Sequence, residues 1–234
     1  MTDFNKINRP PAAEHWSRMQ HPEVNRTAKR LIAFLRGSVT WNYQATRNAA
    51  RYYIEDAIDR ETAQKTVAMK GNPAGRPHNR DAVDAFFDYV ENFPIRGVPA
   101  FTSLVEWFPI GPDAKPLPIR PLSVTREGGL FVPNFLNPWS EIAFDSYQAS
   151  LYMTILERSV FRLTDFEDSP GRIIFLPKWQ IGPREWKRKA VIWTRGQFPL
   201  LSDRELNDQI RIFIESKEIA SKWFREHFDS KKKQ

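Results

Sequence analysis

The chain has 234 residues, 41% of them hydrophobic and 13% aromatic, and a formal net charge of +7. That apolar content excludes an intrinsically disordered chain, and the length suffices for one large domain or two small ones. With no cysteine, disulfides, thiolate nucleophiles and cysteine-ligated zinc or iron–sulfur centres are excluded together.

The opening MTDFNKINRPPAAEHW lacks an apolar signal region and a cleavage site of small residues. Apolar runs such as Ile173-Ile174-Phe175-Leu176 are too short to span a bilayer. A soluble, cytoplasmic protein with no membrane partner is expected.

In chain order, residues 1–21, with Pro10-Pro11, read as an extended arm. Residues 22–94 read as a helical portion of three helices. The first covers Pro22 to Arg36, with Ala28, Leu31, Ile32 and Leu35 on one face and Gly37 as its stop. Asn42 to about Met69 reads as one longer helix, and Asp81 to Asn92 as the third, separated by the turn-rich segment 71–77. Residues 95–229 read as an α+β portion, beginning with a meander of short strands over 101–110, 119–124 and 130–132. Its turns fall at Gly111-Pro112-Asp113 and Glu127-Gly128-Gly129. Asn137-Pro138 reads as the start of a helix reaching Val160. Strands follow at 172–176 and 190–193. Ser202 and Glu205 form a capping box for a final helix on Leu206, Ile210, Phe213, Ala220 and Phe224. Residues 230–234 form a basic tail. The fold class expected is α+β: an N-terminal three-helix portion, then a mainly antiparallel sheet with two packed helices. The boundary near residue 95 divides textures, and both portions can share one core.

Function is signalled by the segment Lys178–Arg195, KWQIGPREWKRKAVIWTR. It holds Lys178, Arg184, Lys187, Arg188, Lys189 and Arg195 against one acid, Glu185, and so carries +5. The tail Lys231-Lys232-Lys233 carries +3, which leaves the remainder of the chain at −1. Trp179, Trp186 and Trp193 fall within the same segment. Cations interleaved with aromatics suit a surface that meets phosphates and bases. Gly182-Pro183 would project Arg184 to Lys189 as a loop between two strands, with Trp186 exposed for stacking. On the structural alternative, Trp179 and Trp193 are core residues of strands and the charges solvate the loop. Arg47 and Arg51, one helical turn apart, offer either a solvated face that pairs with Glu55 or an auxiliary phosphate contact.

Two short patterns resemble known families. Arg76-Pro77 after Ala74-Gly75 resembles half of an AT-hook, which implies a minor-groove arm. Asp165, Glu167 and Asp168, followed by Glu185-Trp186-Lys187, resemble the spacing of PD-(D/E)xK nucleases, which implies a metal-dependent nuclease. That family's Glu-x-Lys lies on a core strand, whereas here Pro183 precedes it and charges surround it. His15, His21, His78 and His227 are scattered over arm, loop and last helix, and no phosphate loop or nucleophile elbow occurs. No catalytic residue, metal or other cofactor is expected.

The resulting expectation is a non-enzymatic accessory or regulatory protein that binds DNA or RNA. Its contact residues are Lys178, Arg184, Trp186, Lys187, Arg188, Lys189 and Arg195. A subunit docking the same segment on an acidic protein surface is second, and the nuclease third.

Overall fold

A computed structural model describes residues 11–37, 42–95, 97–98, 101, 104–111 and 114–229. Five helices come first: α1 (Ala13–Met19), α2 (Val24–Arg36), α3 (Gln44–Ile54), α4 (Arg60–Met69) and α5 (Arg76–Asn92). The strands β1 (Glu106–Phe108), β2 (Leu117–Ile119), β3 (Ser123–Glu127) and β4 (Leu130–Asn137) follow, then α6 (Ser146–Ser159). The chain continues through β5 (Arg172–Phe175), β6 (Lys178–Gly182), β7 (Glu185–Arg188) and β8 (Val191–Trp193) into α7 (Asp203–Phe224).

The centre is a four-stranded sheet ordered β3-β4-β5-β8, antiparallel except for the β4–β5 pair. Side chains alternate across it, so the sheet serves two cores. Val124, Phe135, Ile173, Phe175 and Trp193 enter a core with α1, α2, α6 and α7. Leu122, Leu136, Ile174 and Leu176 enter another with α3, α4 and α5. Both faces of the sheet are therefore covered, which is why β5 reads as an unbroken apolar run. The class is α+β. A separate two-stranded ladder, β1–β2, packs on the first core.

Several local expectations change. Residues 13–19 are helical rather than extended, because Ala13, Trp16 and Met19 recur one turn apart and are all buried. The Trp16 ring meets Phe213 of α7 at 5.4 Å. The single helix expected over 42–69 is broken between Ile54 and Arg60. Asp56 adopts φ 54°, and Asp59 caps α4 by accepting from the Thr62 N–H at 2.7 Å. Arg76-Pro77 begins α5, so the third helix starts five residues early and the half AT-hook is helical.

Asn137 caps no helix. It is the last residue of β4, opposite Phe175, and the capping box that starts α6 is Asp145 with Gln148. Strand pairing along the apolar run 130–137 outweighs the Asn-Pro signal. The Ser202–Glu205 box forms in both directions, and Leu206, Phe213, Ala220 and Phe224 are buried. Among the described residues, no helix is long and apolar enough to cross a membrane. Residues 1–10 of the expected arm and the tail 230–234 lie outside the described residues, as do Pro112 and Asp113 of the expected turn.

Candidate nucleic-acid interface

The basic segment is a β-hairpin rather than a loop. β6 and β7 pair antiparallel, Lys178 with Arg188, Trp179 with Lys187 and Gln180 with Trp186. The same register joins β5 to β8, where Ile173 faces Trp193 and Phe175 faces Val191. The hairpin is thus the β5–β8 ladder carried past the end of the sheet. Pro177, which has no N–H to donate, interrupts it, while the Lys189 N–H still reaches the Pro177 carbonyl at 3.4 Å. The extension is roughly 16 Å long at about 3.3 Å per residue. Near its end the register shifts between Gln180 and Gly182, and Gly182 lies opposite Glu185.

Register assigns the faces. Lys178, Arg188, Gln180 and Trp186 share the side occupied by α3, α4 and α5. Trp179 and Lys187 share the opposite side, that of α6 and α7. Trp179 is 53% exposed and Trp186 56%, whereas Trp193, inside the sheet proper, is 8% exposed. Burial of Trp193 follows the expectation from its apolar neighbours. The structural alternative for Trp179 does not hold, because its ring is more than half exposed, on the side of the ribbon away from α5. Ile181, at the irregularity, is also exposed.

The seven candidate residues divide into two groups. Lys178, Arg188 and Arg195 are engaged internally. Lys178 reaches Asp81 of α5 at 3.4 Å. Arg188 donates to the carbonyls of Leu176 (2.6 Å), Pro138 (3.1 Å) and Trp139 (3.2 Å), and to the Tyr43 hydroxyl at 2.9 Å. Its guanidinium lies over the Tyr43 ring. Arg195 forms a bidentate pair with Glu157, donates to the Phe166, Glu167 and Ser169 carbonyls, and covers the Phe161 ring. The second group is Arg184, Trp186, Lys187 and Lys189, all exposed. Among the described residues, no carboxylate lies within salt-bridge distance of Arg184, Lys187 or Lys189. Three available cations against Glu185 remain of the segment's larger formal surplus.

The other cation-rich face is structural too. Arg47 pairs with the buried Glu14 at 2.8 Å, and Arg51 donates to the Leu122 and Pro121 carbonyls instead of pairing with Glu55. Burial pushes the Glu14 carboxyl up, but Arg47 beside it outweighs this and holds the pKa below 4.5. His15, expected to be solvated on an arm, packs against Trp139 with ring centroids 4.9 Å apart. Burial lowers its pKa below 6.5. This polar cluster supports the hairpin root, because Trp139 supplies a carbonyl to Arg188 and its ring to His15. Sequence reasoning missed it, since the partners come from four separated segments.

The nuclease-like acids are not gathered on a core strand. Glu185 and Lys187 sit on the exposed hairpin, while Asp165 lies in a 3-10 turn over residues 164–166. Among the described residues, no group of three or more His, Asp or Glu side chains is placed to hold a metal ion.

Fold and site together define an α+β protein whose central sheet extends into a projecting, cationic, tryptophan-bearing hairpin. No protein-family model matches the chain, and no curated protein or solved structure matches it.

Proposed function

We propose that the chain is a non-enzymatic nucleic-acid-binding protein, an accessory or regulatory subunit that engages its ligand through the β6–β7 hairpin. The observation that carries this reading is the hairpin's open surface: Trp179 and Trp186 exposed, with Arg184 and Lys187 unquenched on the ribbon and Lys189 exposed at its base. Cations displace condensed counterions from the phosphate backbone, and exposed indoles stack on unpaired bases. Lys178, Arg188 and Arg195 are not contact residues on this reading; Lys178 and Arg188 hold the hairpin in place, and Arg195, at the other end of β8, braces α6 and the 166–170 segment. The same proposal places the chain in the cytoplasm, in keeping with a sequence free of cysteine.

The test is nucleic-acid affinity measured by fluorescence anisotropy over a salt series. Replacing Arg184, Lys187 and Lys189 together by alanine should lower the slope of log affinity against log salt by about 2–3. This follows from roughly 0.9 per lost phosphate contact on duplex and 0.7 on single strands. An unchanged slope, or no binding by the parent at moderate salt, would refute the proposal in favour of an acidic protein partner for the same residues. Magnesium-dependent cleavage lost in Glu185→Ala would instead establish the nuclease.

A further inference from the structure

The strand register of the hairpin bears on which form of nucleic acid it takes. Adjacent pairs in an antiparallel ladder point to opposite faces. Trp179 belongs to the pair with Lys187, and Trp186 to the next pair, with Gln180. Each side of one ribbon therefore carries one exposed indole, and the sides coincide with the two sides of the central sheet. Between them, at the outer end, lie Ile181, Pro183 and Arg184, all exposed.

A ribbon that reads an intact duplex enters the major groove with polar side chains turned to base edges. Indoles cannot stack there, because the base faces are already occupied by neighbouring bases. A ribbon that tracks one single strand needs its aromatic platform on one side only. Two indoles on opposite sides of a narrow hairpin suit two unpaired strands diverging around it. Ile181 and Pro183 at the end would abut the last base pair as an apolar wedge, and Arg184 would meet a phosphate at the point of divergence. The root is built to resist the resulting thrust: the register is continuous with the sheet, and Arg188 ties β7 to three carbonyls and Tyr43.

We infer that the preferred ligand is a fork, a duplex opening into two single-stranded arms, with one arm stacked on Trp179 and the other on Trp186. This rests on the proposal that the hairpin binds nucleic acid.

The experiment uses the full chain and three labelled DNAs of matched sequence: a fork, a blunt duplex and a single strand. The fork should bind at least about tenfold more tightly than either of the others, the gain expected from even one extra base stack. A 2-aminopurine placed at the first unpaired position of one arm, then of the other, reports each stack through quenching. Trp179→Ala should relieve quenching on one arm only, and Trp186→Ala on the other only. Trp→Phe at either position should restore much of it. Both residues are exposed, so the variants should fold as the parent does, which circular dichroism checks.

Equal affinity for fork, duplex and single strand would overturn the wedge while leaving nucleic-acid binding standing. Loss of quenching on both arms from a single substitution would also overturn it, since one platform would then serve both strands. Failure to bind any of the three DNAs, or RNAs of the same sequence and form, would remove the underlying proposal as well.

Discussion

The root and the tip of the β6–β7 hairpin have almost the same composition and opposite roles. Lys178, Arg188 and Arg195 lie in the same run of residues as Arg184, Lys187 and Lys189. Lys178 and Arg188 lie where the ribbon still touches its neighbours and reach Asp81 or backbone carbonyls, while Arg195, at the other end of β8, reaches Glu157. Arg184 and Lys187 farther out, and Lys189 beside Pro177, have no carboxylate within salt-bridge distance among the described residues. Charge in a sequence is therefore an upper bound on charge offered to a partner. The partners that neighbouring elements bring within reach of each residue decide which part is offered.

The largest expected effect tests the root. Arg188→Ala removes donors to the Leu176, Pro138 and Trp139 carbonyls and to Tyr43, and strands those acceptors in a partly buried site. It should cost about 3 kcal/mol in urea unfolding. Arg188→Lys should recover little, because one ammonium cannot reproduce the planar fork that spans these acceptors. A loss under 0.5 kcal/mol would show that Arg188 does not anchor the hairpin. Next is the Arg195–Glu157 pair, whose two side chains are mostly buried. A double-mutant cycle should give a coupling of about 1–2 kcal/mol. No coupling would show that the Arg195–Glu157 pair contributes nothing to the fold.

Acidification separates the two regions by a different route. The folded pKa of His15 is depressed by burial, so the unfolded chain binds its proton first as the pH falls through 6.5. Stability contributed by the neutral ring is present above that value and declines below it. Glu14, held down by Arg47, contributes stability present above 4.5 that is lost as the pH falls through its lower folded pKa. The urea midpoint should therefore begin to fall below about pH 6.5, and His15→Phe should remove that upper part of the decline. A midpoint that stays flat from pH 7 to pH 5.5 would contradict the argument. The tip contains neither group, so tip variants should share the parental profile.

Much of the fold was legible because its signals are local. Gly37 and the Ser202–Glu205 box mark helix ends through hydrogen bonds a few residues long. Trp193 announces its burial through Val191 and Ile192. Where the reading failed, a non-local term prevailed. Asn137-Pro138 carries a sound helix-start signal, yet pairing of β4 with β5, some forty residues away, claims Asn137 for a strand. Trp16 looked like part of an arm because its partner, Phe213, lies nearly two hundred residues on. At the site, exposure of Trp186 was legible from its charged neighbours. The hairpin was not, because alternating Lys, Trp and Arg carry no apolar period once both faces leave the core. Nor could spacing reveal that half the cations were already engaged.

The smallest expected effect is the sharpest contrast to the root. Arg184, Lys187 and Lys189 are exposed and make no ion pair among the described residues, so their removal breaks no contact that holds the fold. Exposed charges of this kind contribute little to stability, and surface substitutions away from special features stay within about 0.5 kcal/mol. The triple alanine variant should therefore unfold at the parental urea midpoint, or slightly above it. Taking three like charges off one ribbon relieves mutual repulsion, and that relief is screened by salt. Measured at low and high salt, any gain should shrink as the salt rises. A loss of 1 kcal/mol or more would mean that the tip is braced like the root. The hairpin would then be an ordinary structural element, and the reason for assigning its open surface to a ligand would be gone.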